Sequence, residues 1–476
     1  MLGRMWNDWR LGAPEAARQR ALERLRVHPW PAPVLDVLAR LREGGHQAWL
    51  VGGNVRDALL GRAAGSEADV ATDLLPEDVL ARFPHSVPTG LRHGTVTIVT
   101  AGGIVECTTL REEGAYADAR RPDAVRFTTD PERDLDRRDF TVNALAFDPA
   151  TSVLLDPHGG ALDLERRRLS AVGHPLDRFR EDALRPFRAA RFAAVLDLAP
   201  DAALLDALAA VRDPHNGVRV EAVAAERVRV ELERLLAAPR PSTGIELLRR
   251  AGLLEKWLPE LAACVGVTQN RFHAYDVYEH SLRTCDAAPA GKPRVRWAAL
   301  LHDIGKPPTK VIRNGDATFY DHDKVGAELA DRLLDRLRFA TDERRAIVHL
   351  VREHMFGSDP DWSDAALRRW LRRVGPDAVA DLFDVRIADT LGNGLRQGFP
   401  VALERLRARL QAILDADAAL HVRDLAVDGR DVMRELELPP GPEVGRTLAD
   451  LLDEVTEHPE SNTRDHLLAR LRERRM

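Results

Sequence analysis

The chain has 476 residues, of which 45% are hydrophobic and 30% are charged. This composition excludes a disordered chain, and the length is too great for one ordinary domain, so we expect three or four. The formal net charge is −6, so a nucleic-acid partner would need a local basic surface, because the whole chain does not supply one.

Other general features bear on where the protein works. The three cysteines are far apart and form no metal-type pair, and disulfides are not expected. No apolar run approaches the roughly 20 residues that a membrane span needs, and the N-terminus lacks the apolar core of a signal peptide. We therefore expect a cytoplasmic protein with no membrane partner, whose first residues form a poorly ordered extension.

Short apolar runs alternate with turns between Pro33 and about Gly160, which predicts a mixed α/β unit. The predicted strands include Ala48–Val51, Thr95–Val99, Ile104–Thr108 and Val142–Phe147, and the predicted helices surround Val34–Arg42 and Val55–Leu60. Helical periodicity dominates from about Leu162 onward, which predicts an all-α body. Its predicted helices are Asp177–Val195, Ala222–Leu236, Thr243–Leu253, Val277–Ala287, Val295–Ile304, Gly326–Leu337, Asp342–Glu353 and Ala402–Ala416.

A Gly-Gly turn and a carboxylate strand follow one another in the α/β unit. Gly52 and Gly53 let the backbone approach a ligand closely, and the following helix N-terminus offers free N–H groups to an anion; the alternative is an ordinary tight turn. Glu67 and Asp69 are two residues apart on a strand and point to the same face. Together with Glu106 they offer the hard oxygen ligands that suit Mg²⁺; the alternative is a solvated strand edge.

Three motifs occur in order along this region. They are Gly52-Gly53-x-Val55-Arg56-Asp57, the acidic pair that leads into Ala71-Thr72, and Arg137-Arg138-Asp139-Phe140-Thr141-Val142-Asn143-Ala144. Together they resemble the head of the bacterial-type (class II) CCA-adding enzyme and poly(A) polymerase family. The resemblance runs from about residue 33 to the end, and it implies an α/β nucleotidyltransferase head with a small mixed sheet.

The resemblance also implies roles for individual residues. Asp69 and Glu67 would hold two Mg²⁺ ions, with Glu106 as the third catalytic carboxylate, and Arg138 and Asp139 would contact the ribose. The nucleotide-binding residues that it implies are Gly52, Gly53, Arg56, Arg138, Asp139, Asn143, Asp182, Arg185 and Arg188.

The first acidic position departs from the family, which has Asp where this chain has Glu67. Glu is one methylene longer, so it reaches the metal with looser geometry. In-line phosphoryl transfer between two metals about 3.5–4 Å apart is sensitive to that geometry. We therefore expect slower catalysis than an Asp would support.

Asp182 and Arg185 lie at positions i and i+3 of a predicted helix, and such positions share a face. An Asp accepts from an amino group and an Arg donates to a ring nitrogen or carbonyl, so the pair can read a base edge; the alternative is an exposed ion pair. The segment matches the family's Glu-Asp-x-x-Arg, whose Asp and Arg select C and then A without a template. We expect Pro186 to kink this helix and Arg188 to continue the same face.

The segment from Arg111 to Pro122 resembles the family's flexible loop at full length. Relatives that add only CC have shortened this loop. The loop therefore indicates that the chain adds A, either alone or after CC.

His280, on one predicted helix, precedes the adjacent pair His302 and Asp303 at the end of another, which is a metal-ligand spacing. This pattern resembles the HD phosphohydrolase superfamily, whose last ligand is a distant Asp, and Asp389 is the best candidate. Imidazoles with carboxylates suit a transition metal such as Mn²⁺, Ni²⁺ or Co²⁺. His322 and His354 could add ligands for a second metal, whereas His273 is a weaker candidate.

We therefore predict a nucleotidyltransferase head followed by a long all-α body that includes an HD domain. The expected activity is addition of CCA, or its terminal A, to tRNA from CTP and ATP, with an accessory phosphohydrolase. The alternatives are a poly(A) polymerase, an HD phosphohydrolase with a catalytically weak head that docks RNA, and a non-catalytic RNA-binding protein. The oligomeric state is left open.

The predicted domains are an N-terminal extension (1–32), the head (33–160), a neck and RNA-binding region (161–264), the HD domain (265–395) and a C-terminal helical region (396–476).

Overall fold

The computed structural model of the chain describes residues 13–63, 65–113, 125–271, 273–356, 362–395, 401–416 and 419–475. It divides into two compact units between Leu258 and Pro259. We describe each unit by itself. None of the described helices is long and apolar enough to cross a lipid bilayer.

The first unit contains a seven-stranded mixed sheet in the order β3-β4-β5-β2-β1-β8-β9, in which only β2 and β5 pair in parallel. Its strands are β1 (Ala48–Val51), β2 (Glu67–Thr72), β3 (Ser86–Gly90), β4 (Thr95–Thr100), β5 (Gly103–Thr109), β8 (Ala146–Asp148) and β9 (Val153–Leu155). Two short pairs accompany the sheet: β6 (Arg111–Glu113) with β7 (Val125–Phe127), and β10 (Arg168–Leu169) with β11 (Ala199–Pro200).

Helices flank this sheet and continue after it. The helices of the first unit are Ala13–Val27, Ala32–Leu41, Gly53–Leu59, Pro76–Arg82, Pro131–Asp136, Gly160–Glu165, Pro175–Glu181, Arg185–Leu196, Ala202–Ala210, Ala225–Leu236, Pro241–Arg250 and Leu253–Trp257. The residues of the second unit that the structure describes include one antiparallel pair, β12 (Val311–Arg313) and β13 (Asp316–Thr318), beside the helices. Its helices are Pro259–Ala262, Val277–Ala287, Pro293–Leu301, Lys306–Thr309, His322–Arg336, Thr341–Glu353, Asp364–Val374, Pro376–Gly392, Val401–Asp415, Gly429–Leu436, Pro442–Glu457 and Arg464–Arg475. The predicted fold class, an α/β head followed by a helical body, is confirmed.

The prediction of a poorly ordered extension is wrong for residues 13–27, which form a helix. Ala17, Ala21 and Leu25 recur every four residues and are buried, and Arg20 forms a 2.8 Å ion pair with Glu165. A stripe of two alanines and one leucine is a weak apolar signal, so tertiary packing holds this helix more than its own propensity does. Residues 1–12 lie outside the described residues.

Two further predictions fail in detail. The apolar run Val142–Phe147 is not one strand: a 3₁₀ turn at Thr141–Asn143 precedes the short strand β8. Every residue of that run is buried in either geometry, so hydrophobicity alone could not separate the two structures. The predicted helix Asp177–Val195 is also broken, because Asp182, Ala183 and Leu184 separate two helices.

Candidate functional site

The carboxylate face of the head lies on β2 and β5. Glu67 and Asp69 are exposed while Ala68 between them is buried, so the two carboxylates share one face of the sheet. In the parallel register Asp69 lies directly beside Glu106, which is also exposed. The predicted catalytic carboxylates are therefore placed on one face by the alternation of two adjacent strands.

The charged residues around Asp69 have opposite effects on the pKa of its carboxyl group. Loss of water around its carboxyl group, followed by the charge of Glu106, raises the pKa of Asp69, and Glu67 adds to the rise. Arg138 and Arg56 lower that pKa but do not cancel the effect. The face therefore carries excess negative charge, and a divalent cation would relieve it.

The Gly-Gly turn is shaped by the close approach of Arg138. Gly52 has φ +60°, a conformation that favours glycine, and a Cβ there would lie 2.7 Å from Nη1 of Arg138. A Cβ on Gly53 would meet Arg56 Nη2 at 3.5 Å and Asp69 Oδ2 at 4.0 Å. Gly52 thus lets Arg138 lie close to the carboxylate face, whereas the distances at Gly53 are ordinary van der Waals contacts that a side chain would tolerate.

A buried hydrogen-bond network joins the residues of the Arg-Arg-Asp motif. Asn143 Nδ2 donates to Asp139 Oδ1 at 3.0 Å, and Asn143 Oδ1 accepts from Arg56 Nη1 at 2.6 Å. Arg188 Nε donates to Asp139 Oδ2 at 2.6 Å. Burial alone would raise the pKa of Asp139, but Arg188 and Asn143 together lower it to about 2. The network holds Asp139 ionised and fixes four of the predicted nucleotide-binding residues relative to one another.

Two buried acids that the sequence reasoning missed hold the arginines in place. Asp134 accepts from Arg138 Nη2 at 3.1 Å and also binds Arg137. Glu231 accepts from Arg191 Nε at 2.5 Å and lies 3.7 Å from Arg188. The first partnership has a sequence signal, since Asp134 precedes the two arginines by three and four residues; the second joins distant helices and has none.

The predicted pairing of Asp182 and Arg185 on one helix face is wrong, because the helix breaks between them. Asp182 accepts from the Leu184 N–H at 3.0 Å and from Arg227 at 2.9 Å. Arg185 is buried and donates to Glu181 at 2.5 Å and to two backbone carbonyls. The two side chains therefore have separate partners.

The position of Pro186 agrees with the break between the two helices. Pro186 lies in the first turn of the second helix, where it loses no hydrogen bond and makes no kink. The predicted kink is therefore also wrong. Most of the predicted flexible loop, from residue 114 to 122, lies outside the described residues.

The second unit brings the predicted HD residues together in a buried cluster. His280 Nε2 lies 3.0 Å from Asp389 Oδ1 and 3.6 Å from Asp303 Oδ2. His302 Nε2 lies 3.1 Å from Asp303 Oδ2 and 3.2 Å from His280 Nε2. The same aspartate faces a second pair, with His322 Nε2 3.4 Å and His354 Nε2 4.0 Å from its Oδ1.

The backbone sets the direction of each imidazole in this cluster. Nδ1 lies 2.8 Å from a carbonyl oxygen in His302 and His322, 2.6 Å in His354 and 3.3 Å in His280. A ring that donates from Nδ1 presents the lone pair of Nε2 to the centre, as metal-binding histidines do. Nε2 of His322 and of His354 is buried, and neither atom has a hydrogen-bond partner.

The charges of the cluster suit a cation. Burial would raise the pKa of Asp303, but His302 and Lys306 hold it well below its usual range. Burial lowers the pKa of His354 to about 3 and also lowers that of His322. Asp303, His322 and His354 are therefore in the protonation states that metal ligands need. Burial would lower the pKa of His302, but the neighbouring Asp303 raises it, so His302 would release a proton when a metal binds.

Lys306 is the residue of this cluster that the sequence reasoning missed. It is buried and donates to Asp303 Oδ2 and Gln269 Oε1, both at 2.6 Å. The cluster lines a cavity of about 400 Å³, which Lys306, Arg386 and His273 also line. Lys306 and Arg386 each pair with a carboxylate of the cluster, Asp303 and Asp389 respectively, so they partly offset its negative charge.

Comparison with known proteins places both sites in one family. The family model "Poly A polymerase head domain" matches residues 48–170, "Probable RNA and SrmB- binding site of polymerase A" matches 203–265, and "HD domain" matches 273–394. The head and HD models both imply the use of divalent metal ions.

Curated relatives and a solved structure agree with these matches. The CCA-adding enzyme of Geobacillus kaustophilus (strain HTA426) is 32% identical over 92% of this chain and 96% of its own length. The A-adding tRNA nucleotidyltransferase of Deinococcus radiodurans is 36% identical over 72% of this chain and 80% of its own length. The crystal structure of the Bacillus stearothermophilus CCA-adding enzyme in complex with CTP aligns with a TM-score of 0.70 and 29% identity, covering 93% of this chain and 96% of that one. The chain therefore belongs to the CCA-adding enzyme family and is a nucleotidyltransferase.

Proposed function

We propose that the head adds CCA, or its terminal A, to the 3′ end of tRNA from CTP and ATP without a nucleic-acid template. The observation that carries the proposal is the face formed by Glu67, Asp69 and Glu106 beside Arg138. The unrelieved repulsion at this face fits a divalent cation, and its carboxylate oxygens suit Mg²⁺.

Bound at this face, Mg²⁺ would activate the 3′-hydroxyl of the tRNA and stabilise the oxygens of the leaving pyrophosphate. Asp69 and Glu67 hold the ion from one strand. Arg138, fixed by Asp134 and by the carbonyl of Asn143, binds the nucleotide beside them. This arrangement lets the chain orient the nucleotide against the incoming hydroxyl.

Asp182 and Arg185 choose the base in this proposal, each from its own position. Arg185 is held by Glu181 and by backbone carbonyls, so its guanidinium keeps a fixed direction. Asp182 is partly exposed and is oriented by Arg227. A fixed donor and a fixed acceptor are what hydrogen-bond reading of a base edge requires.

One assay separates CCA addition from its rivals. Labelled CTP and ATP are offered to tRNAs that lack CCA, end in the first C, or end in CC. Uptake of C by the first two substrates excludes a poly(A) polymerase and an enzyme that adds only A. Uptake of A by the third substrate alone identifies an A-adding enzyme, and no uptake by any of them contradicts the proposal.

A second function is favoured by the buried Nε2 atoms of His322 and His354, which have no hydrogen-bond partner. We propose that the HD centre, with His280, His302, Asp303 and Asp389 as its main ligands, binds a transition metal such as Mn²⁺, Ni²⁺ or Co²⁺. With the metal bound, water would be activated for attack on a phosphoester. The substrates that we propose are 2′,3′-cyclic phosphates or small phosphomonoesters.

Metal analysis of the purified protein tests this second function. We expect a bound transition metal and a metal-stimulated phosphatase or phosphodiesterase activity. A protein that carries no transition metal and shows no such activity would contradict the hydrolase and leave the transferase unaffected.

The domain layout that we propose keeps the predicted boundaries at 33–160, 161–264, 265–395 and 396–476. We place the reaction in the cytoplasm, with tRNA, CTP and ATP as partners. The Ala13–Val27 helix belongs with the head in function, because its Arg24 donates to the Leu59 carbonyl of the head, while its Arg20 pairs with Glu165 at the start of the neck.

A further inference from the structure

Strands β1 and β2 separate just before the segment of β2 that carries Asp69 and Glu67. Strand β1 pairs with β2 as far as Leu50 opposite Val70. The chain then leaves the sheet at Gly52, and a helix begins at Gly53. Continued along the same register, β1 would have paired with Asp69 and then with Glu67.

The edge of β2 that faces this gap carries the backbone groups of Glu67 and Asp69. The carbonyls of Ser66 and Thr72 point the other way, toward β5, and accept from Ile104 at 2.9 Å and Leu110 at 2.7 Å. Because backbone groups alternate along a strand, those of residues 67 and 69 point toward the gap.

The side-chain amide of Asn54 fills this gap. Its Oδ1 accepts from the Asp69 N–H at 2.6 Å, and its Nδ2 donates to the Glu67 carbonyl at 3.2 Å. A neighbouring antiparallel strand would offer the same two groups, one acceptor and one donor. The orientation of the amide follows from its partners, since a backbone N–H can only donate and a carbonyl can only accept.

We propose that Asn54 is a positioning residue for nucleotide addition, whose amide replaces the missing strand and keeps Glu67 and Asp69 extended. This inference rests on the proposed role of those two residues as metal ligands. Side chains two residues apart share a face only while the backbone between them stays extended. Without the amide, only the pairing with β5 would hold this part of β2, and the two carboxylates would be oriented less firmly toward the metal.

The predicted consequence is a change in metal binding rather than in stability. Both hydrogen bonds lie at an exposed position, so water can replace them when the amide is removed. The metal ligands would lose their common direction all the same. Removal of a group that orients metal ligands typically lowers metal affinity or activity by about 10–100-fold.

The test compares Asn54→Ala with the wild type and with Gln47→Ala in the full-length enzyme. Gln47 also uses its side-chain amide on a backbone carbonyl, that of Thr129 at 3.0 Å, and is therefore a matched control. Three quantities are measured: Mn²⁺ affinity by electron paramagnetic resonance, kcat and KM for ATP with tRNA ending in CC, and Tm.

We expect Asn54→Ala to bind Mn²⁺ about 10–100-fold more weakly at the head and to lose a similar factor in kcat. The Tm and the KM for ATP should stay near the wild-type values, and Gln47→Ala should match the wild type. To restrict the Mn²⁺ signal to the head, all variants carry Asp303→Ala, which removes the carboxylate that both groups of potential ligands in the HD cluster share. Asn54→Ser, which can make one of the two hydrogen bonds, should fall between Asn54→Ala and the wild type.

Two results would overturn the inference. In one, Asn54→Ala keeps the wild-type Mn²⁺ affinity and kcat. In the other, it lowers Tm while metal affinity and kcat per folded molecule stay constant, which would make Asn54 a structural residue only. Asp69→Ala is measured in parallel: if it is inactive while Asn54→Ala is normal, only this inference fails, whereas an active Asp69→Ala contradicts the proposed function itself.

Discussion

The two candidate metal sites of this chain are built in opposite ways. In the head, Glu67, Asp69 and Glu106 stand on an exposed face of a sheet. In the second unit, His280, His302 and Asp303 are each about 1% exposed. Among the described residues, two groups of three side chains have their potential ligand atoms within 4.8 Å of one another. Both groups belong to this buried cluster: His280, His302 and Asp303, and Asp303, His322 and His354.

The difference agrees with the chemistry that we propose for each site. Mg²⁺ keeps several waters and is usually held by one or two carboxylates together with substrate phosphates. An open carboxylate face that is completed by the nucleotide fits that behaviour. A closed set of imidazoles with their lone pairs directed inward fits a metal that stays bound between turnovers. We therefore expect the metal of the head to exchange more readily than that of the HD centre.

The largest expected effect is that of Asp69→Ala on nucleotide addition. Loss of a residue that only orients a metal ligand lowers activity by up to about 100-fold. Loss of the ligand Asp69 itself should therefore lower nucleotide incorporation by more than about 100-fold. The fold should remain intact, because Asp69 is exposed and no core packs on it. Labelled ATP incorporation and thermal unfolding check both parts, with the exposed Asp78→Ala as control. Near-full incorporation by Asp69→Ala would show that the open face is not the metal site.

Base choice should change next most strongly. Asp182→Ala and Arg185→Ala should each reduce discrimination among CTP, ATP, UTP and GTP by about tenfold to a hundredfold, since reading a base edge is worth roughly 1–3 kcal/mol. Relative kcat/KM for the four nucleotides measures this. Arg227→Ala removes a hydrogen bond that orients Asp182 but leaves the Asp182 side chain in place. It should therefore reduce the discrimination by a smaller factor. An unchanged preference in both alanine variants would remove these residues from the reading of the base.

The buried network around Asp139, unlike the open carboxylate face, should make the free energy of unfolding depend on pH. Asp139 has a pKa of about 2 in the folded protein, below its value of about 3.9 in an unfolded chain. Its stabilising contribution is therefore present above about pH 4 and disappears as the pH falls toward 2. Asp139→Asn should cost about 2 kcal/mol of unfolding free energy at pH 7. Denaturant unfolding of both proteins at pH 7 and pH 3 checks this; an equal difference at both pH values would contradict it.

The smallest expected effect is that of Glu67→Asp. Shortening the side chain restores the residue that the family has at this position, so incorporation should stay equal to that of the wild type or rise by less than about tenfold. Steady-state kinetics in Mg²⁺ measures it. A loss comparable to that of Asp69→Ala would show that the head is adapted to the longer Glu67 side chain.

The sequence was sufficient for features that depend on local periodicity. Alternation along β2 placed Glu67 and Asp69 on one face. The His-Asp spacing, together with the resemblance to the HD superfamily, indicated His280, His302, Asp303 and Asp389, which the structure brings together. Features that depend on contacts between distant segments were not predictable. Nothing in the sequence around Arg191 indicates Glu231, its partner 40 residues away.

The break after Glu181 and the helix at Ala13–Val27 were missed for a related reason. An amphipathic pattern continues through Asp182, and Pro186 was interpreted as a kink in one helix, whereas it lies in the first turn of a second helix. The Ala13–Val27 helix has little apolar surface and depends on the residues that it packs against. Single polar residues that act on another segment, such as Asn54 and Lys306, likewise leave no periodic signal.

The most direct test of two independent metal sites is to measure both activities in His302→Ala and in Asp69→Ala. We predict that His302→Ala loses the transition metal and the phosphatase or phosphodiesterase activity while nucleotide addition stays near the wild-type rate. We predict the reverse for Asp69→Ala. Loss of both activities in either variant, or loss of nucleotide addition in His302→Ala alone, would contradict two independent sites.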